Sequence, residues 1–180
     1  EIDCALANAD LVIDATASVL AARYLSDHPA TARRASVFFN PAGESAVLLV
    51  EPDDRTLTLR DLEAQYLRLV AREEDLSGHL VAPAGTYAYT GACRAITSQI
   101  PQSRVMILSG LVSYGLGSMV DHDAAVIRIW SMSGIGAVAV HDAVPAPVET
   151  FLAGTWSVSV DRDLLERIRA LRNLHLPHET

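Results

Sequence analysis

Apolar and polar positions follow two different periods along this chain, and the switches between them divide it into short strands and helices. "ADLVIDATAS" holds a compact apolar run, Leu11 to Ile13, that exits through the polar stretch Asp14 to Ser18. The helix "VLAARYLSDH" follows, with Pro29 just beyond it. That order predicts one strand–helix unit of a parallel sheet. "ASVFFNPAGESAVLLVEPDD" reads as two strands around "NPAGES", whose Asn, Pro and Gly are turn formers, and the acidic "EPDD" closes the pair.

In "TLRDLEAQYLRLVAREEDL", Leu59, Leu62, Tyr66, Leu69 and Val70 recur at helical spacing. Thr58 is placed to cap the N-terminus, and Asp61 three residues later makes a rough capping box. "SGHLVAPAGTYAYTGACRAITSQIP" is a long span punctuated by Gly and Pro, and loops of that length in compact domains are usually functional or mobile. Ser103 is the expected cap of "RVMILSGLVSYGLGSMV", a helix apolar nearly all round and therefore expected to be buried. "AAVIRIWSM" and "IGAVAVHDAV" predict a hairpin across "SGIG", and "PAP" at 145–147 reads as a linker. Beyond it a short alternating strand leads to Asp161 as N-cap. Leu164, Leu165, Ile168 and Leu171 then form an apolar face that needs a partner surface.

Composition narrows the classes of function. The 180 residues suffice for one domain with the beginning of another, and half of them are hydrophobic, so a sizeable core is expected. A net charge of -8 argues against nucleic acid or an anionic membrane as partner. All 14 basic residues are arginine, which removes Schiff-base and P-loop lysines from these residues. Cys4 and Cys93 are too few for a disulfide framework and form no CxxC pair for zinc, so a reducing cytoplasm is the expected location. No apolar run approaches a membrane span, and "EIDCALANAD" has no signal-peptide pattern. The opening, a partial helix running straight into a strong strand, suggests a piece of a longer protein.

Several stretches carry candidate chemistry. Asp14 stands at the carboxyl end of a strand, where open parallel sheets bind ligands; a carboxylate there would hold Mg²⁺ or a ribose hydroxyl, or else serve as a turn residue or helix cap. Cys93 lies beside Arg94, and a neighbouring guanidinium lowers a thiol's pKa and favours the nucleophilic thiolate. Against this, a free cysteine is often a small buried hydrophobe. "GIGAVA" at 134–139 formally matches the dinucleotide fingerprint GxGxxA, but that chemistry needs a helix directly behind the glycines, whereas β-branched residues and Pro145 point to a hairpin turn. "GLGSMV" at 115–120 reads as glycines closing a helix. "DHD" at 121–123 and "HD" at 141–142 offer metal-ligand types, yet fit solvated turns better, so no metal site is assigned.

"ADLVIDATASVLAARYL", "ASVFFNPAGESAVLLVEP" and "CRAITSQIPQSRVMILSGLVSYGL" together resemble the second half of a ThiF/MoeB/HesA-type adenylyltransferase domain, the fold shared with ubiquitin-activating enzymes, particularly bacterial members fused to deubiquitinase-like domains. "WSVSVDRDLLERIRALRNLHLPHET" is similar to the opening of a JAB/MPN metallopeptidase domain, with Glu179 at that family's catalytic glutamate. The resemblance implies an α/β fold: a partial Rossmann-like ThiF-type domain with a mostly parallel sheet flanked by helices (1–144), a linker (145–154), and a truncated JAB/MPN strand–helix start (155–180). It further implies that ATP adenylates the C-terminal carboxylate of a ubiquitin-like or sulfur-carrier protein. Cys93, beside Arg94, would accept the acyl group as a thioester, and Asp14 would neighbour Mg-ATP. Zinc enters only with a complete JAB domain, and a homodimer is a further expected partner.

The family's Gly-rich nucleotide loop, catalytic lysine and upstream arginine would precede Glu1. Ala17 and Ser18 stand where its pattern DxTDN continues with a second Asp, and its paired CxxC zinc site is missing. These residues alone are therefore expected to be inert. A catalytically degenerate docking or dimerisation module is the main alternative, and a nucleotide-binding oxidoreductase resting on "GIGAVA" is a third; a strand after that motif would remove it.

Overall fold

In the computed structural model the apolar runs become a five-stranded mixed sheet with helices on both faces. Residues 2–16, 18–81, 100–119 and 122–147 are described; Cys93, Arg94, Glu179 and the expected C-terminal strand and helix lie outside them. In chain order the elements are α1 (Ile2–Ala7), β1 (Leu11–Asp14), α2 (Val19–Asp27), β2 (Arg33–Phe39), β3 (Ser45–Val50), α3 (Leu59–Arg72), a 3₁₀ turn (Glu74–Leu76), α4 (Gln102–Met119), β4 (Val126–Met132) and β5 (Val138–Ala143).

The strands lie in sequence order, β1-β2-β3-β4-β5. Among the described strands only β1 and β2 pair in parallel, with Leu11 opposite Arg33 and Asp14 opposite Ser36. The other three pairings are antiparallel, which corrects the expectation of a mostly parallel sheet. Loop length is the local cause for two of them. The turns between β2 and β3 and between β4 and β5 are short, and a short turn joins only antiparallel strands, whereas the α2 crossover permits a parallel pair. Both hairpins read from the sequence are present. β5 follows the glycines of "GIGAVA" directly, with Gly136 N–H bonded to Ser133 O at 2.9 Å, and this removes the dinucleotide reading.

Alternation along β3 sends its side chains to two cores. Val47 and Leu49 pack with Leu59, Leu62, Tyr66 and Val70 of α3, together with Ile127 and Ile129 of β4. Ala46, Leu48 and Val50 pack on the opposite face with Leu108 and Val112 of α4 and with Trp130. α3 begins as the sequence implies: Thr58 accepts from the Asp61 amide, and the Asp61 carboxylate accepts from Thr58 N–H.

α4 departs from its expectation in three ways. It starts at Gln102, so Ser103 lies within its first turn rather than ahead of it. It runs on to Met119, so Gly115 and Gly117 are helical rather than caps. Nor is it buried all round: Met106, Ile107 and Tyr114 are 66%, 45% and 81% exposed, because the sheet covers only the stripe of Leu108, Val112 and Gly115. Gly115 is required there, since an added Cβ would stand 2.7 Å from Trp130 Cη2. After β5, the Gln65 side chain pins Ala146 with two hydrogen bonds, from Nε2 to Ala146 O (2.9 Å) and from Ala146 N–H to Oε1 (2.8 Å).

Candidate functional site

Asp14 ends β1 on the edge of the sheet, and its side chain is buried. β1 stops there because the next residues turn. One carboxylate oxygen accepts from Thr16 N–H at 2.9 Å and from Thr16 Oγ1 at 2.7 Å, the local bonding by which Asp competes with strand pairing. Thr16 Oγ1 accepts in turn from Ser18 N–H at 3.1 Å, and Ser18 caps α2. The turn and helix start expected of "DATAS" are thus one hydrogen-bonded chain with Asp14 at its root. Asp14 is a buried carboxylate at the carboxyl end of a parallel pair, and its remaining lone pairs are suited to cation or hydroxyl ligation.

A second buried polar group lies where β2 and β3 meet α2 and α3. The sequence did not single it out. Arg34 and Glu51 are both fully buried. Glu51 Oε1 accepts the Leu59 amide at 2.8 Å, satisfying a free donor of the first turn of α3, and Oε2 accepts from Arg55 Nε at 2.7 Å. Arg34 donates to His28 O (2.7 Å) and Ala30 O (2.8 Å), and Arg55 reaches Ala30 O at 2.6 Å. Burial pushes the Glu51 carboxyl up to about 7, against the opposing pull of the Leu59 amide and the Arg34 charge. These bonds tie helix ends to strand ends, so the group is a structural clamp. Its only sequence signal is a carboxylate ending an otherwise apolar strand, "SAVLLVE".

A third group surrounds His79. Its Nε2 lies 3.0 Å from the Tyr66 hydroxyl, and its carbonyl accepts from Asn40 Nδ2 at 3.0 Å. Asn40 Oδ1 accepts from both Glu44 and Ser45 N–H, which shapes the β2–β3 turn, where Gly43 takes φ +64°. Burial, and secondarily the nearby His141, hold the His79 imidazole down at about 4, so it is neutral at physiological pH.

Of the three residues assigned a site role from sequence, Asp14 falls within the described part; Cys93 and Arg94 lie outside it. His122, Asp123, His141 and Asp142 do not converge. Among the described residues no three His, Cys, Asp or Glu side chains are grouped to hold a metal ion, and no helix is long and apolar enough to cross a membrane. Compared with known proteins, the chain matches no family model and no curated protein.

Proposed function

We propose that the chain is part of an activating enzyme of the ThiF/MoeB/HesA type, one that adenylates the C-terminal carboxylate of a ubiquitin-like or sulfur-carrier protein with ATP. The observation that carries the reading is the buried Asp14 carboxylate at the carboxyl end of β1, in a strand–crossover–strand unit that continues into the β2–β3 hairpin. In this scheme Asp14 would help to hold Mg²⁺, which would supply positive charge against the charge that develops as the carboxylate attacks, and binding both reactants makes the attack effectively unimolecular. Cys93 then takes the acyl group as a thioester and releases AMP, with Arg94 favouring its thiolate. The partial Rossmann-like domain and the JAB/MPN start after residue 154 belong to the same proposal.

ATP–pyrophosphate exchange in the parent polypeptide, supplied with a ubiquitin-like partner, is the test. Exchange that Asp14→Ala abolishes supports the assignment. Exchange that survives the substitution reduces Asp14 to a turn residue. A folded parent without exchange favours the second reading, a degenerate docking module. That reading has its own support: Asp14 is already engaged by Thr16, and the stretch continues as Ala17-Ser18.

A further inference from the structure

Among the described strands β5 pairs with β4 alone, so its far side is an open edge. Two hydrogen bonds set the phase of the ladder. Met132 N–H donates to Glu44 O at 2.8 Å, toward β3, and Ser133 N–H donates to Ala137 O at 2.9 Å, toward the β5 side. Alternation then gives β4 the backbone groups of Ala139, His141 and Ala143, and turns the N–H and C=O of Val138, Val140 and Asp142 outward. Val138 and Val140 stand opposite Met132 and Trp130, on the face that α4 packs against, and are 39% and 53% exposed. Open edges are ordinarily guarded by proline, a bulge or free charge. β5 has no proline and an unbroken register, and its one acid, Asp142, is already held by Arg128 through two bonds of 2.7 Å.

We infer that residues 155–160, "TWSVSV", which lie outside the described part, pair antiparallel with β5 as a sixth strand. Length and alternation select this occupant. Both segments have six residues. With Val158 opposite Val140, Val160 falls opposite Val138 and Trp156 opposite Asp142, so the apolar residues join the exposed valines. Ser157 and Ser159 then fall on the other face, beside His141 and Ala139. A slip of one residue would reverse both faces.

The tether selects it as well. Gln65 pins Ala146, and residues 147–154 link that point to Thr155. Eight residues reach up to about 26 Å, whereas an added strand lies roughly 4.8 Å from its neighbour, and an antiparallel one starts near the end that β5 leaves. So short a link gives an effective concentration on the order of millimolar, which a free peptide or a second copy does not match. This inference rests on β5 and not on the activating-enzyme reading, and it keeps the chain with the sheet as far as Val160.

Amide hydrogen exchange of the 180-residue protein, resolved by residue, tests it. The N–H groups of Val138, Val140 and Asp142 should be protected although none of them bonds β4, and dilution should not change their rates. Val158→Pro removes the amide that would donate to Val140 O and should speed their exchange by about tenfold or more, while the amides of β3 and β4 report that the fold persists. Ser159→Pro, whose nitrogen would face away from β5, should leave the protection in place. Outward amides that exchange in the wild type as fast as in an unstructured chain overturn the inference. Protection lost on dilution points to a second copy and overturns it too, as does protection that Val158→Pro leaves intact or that both proline variants lose equally.

Discussion

Glu51 and His79 should give this protein two opposite pH dependences that hide each other. The Glu51 carboxyl sits at about 7 in the fold against an ordinary 4.5, mainly through burial. Between those values the folded state keeps a proton that the unfolded state loses. The stability this group confers is therefore complete below pH 4.5 and is lost as pH rises through 7. The His79 imidazole sits at about 4 against an ordinary 6.5, again mainly through burial. Here the unfolded state takes a proton that the fold refuses, so stability is complete above pH 6.5 and is lost as pH falls toward 4. Each slope is about 1.4 kcal/mol per pH unit where it is fully developed. In the shared window, pH 4.5 to 6.5, the two cancel and the wild-type profile should be nearly level.

Glu51→Gln removes one titration while keeping the volume and an acceptor for the Leu59 amide. Urea unfolding at half-unit steps of pH, analysed by linear extrapolation, should then show stability rising with pH, by roughly 2–3 kcal/mol across the window. His79→Phe should show stability falling with pH by a similar amount. Both variants carry a constant offset, from the lost carboxylate acceptor of Arg55 Nε in one and the unpaired Tyr66 hydroxyl in the other. The test lies in the slope of the variant-minus-wild-type difference, from which the exposed carboxylates drop out. A Glu51→Gln difference that stays flat within about 0.5 kcal/mol would refute the argument, because Glu51 would then ionise in the fold much as it does in the unfolded chain.

Three further outcomes are expected. Gly115→Ala drives a Cβ to 2.7 Å from Trp130 Cη2 and 3.1 Å from Leu48 Cδ2, and this overpacking, about 1–3 kcal/mol, should outweigh the gain in helix propensity and lower the midpoint of a calorimetric melt. Thr58→Ala removes the acceptor for the Asp61 amide and should cost about 1 kcal/mol in urea unfolding; no loss would make the capping box incidental. Iodoacetamide labelling resolved by mass spectrometry should find Cys93 reacting faster than Cys4, with an apparent pKa below the free-thiol value of about 8.5. A Cys93 that stays unmodified until the protein unfolds would end its assignment as an acyl acceptor.

Much of the architecture was legible because it rests on neighbouring residues. The period-two runs gave both hairpins. Thr58 and Asp61 announced the start of α3, and Asp14 at the end of "LVID" marked the exit of the parallel β1–β2 pair. Pairing direction was less legible: the family resemblance implied a mostly parallel sheet, although short turns force β2–β3 and β4–β5 antiparallel. The clamp of Arg34, Glu51 and Arg55 was missed because Arg34 and Glu51 look like ordinary charges at strand ends and Arg55 like a loop residue. Only the convergence of the surrounding elements buries Arg34 and Glu51.

The sequence by itself determined which stretches are strands and helices and where α3 begins, since caps, turns and side-chain periodicity act within a few residues, although α4 starts and ends beyond the cap residues its sequence offers. Only the tertiary structure decided which polar groups are buried and which apolar ones are exposed. Arg34 and Glu51 are buried because β2, β3, α2 and the start of α3 close around them. Met106 and Tyr114 are exposed because the sheet covers one stripe of the helix and leaves the opposite side open. Burial is a property of surfaces that meet across long sequence separations. A helix as uniformly apolar as α4 carries no mark of which side the sheet will take.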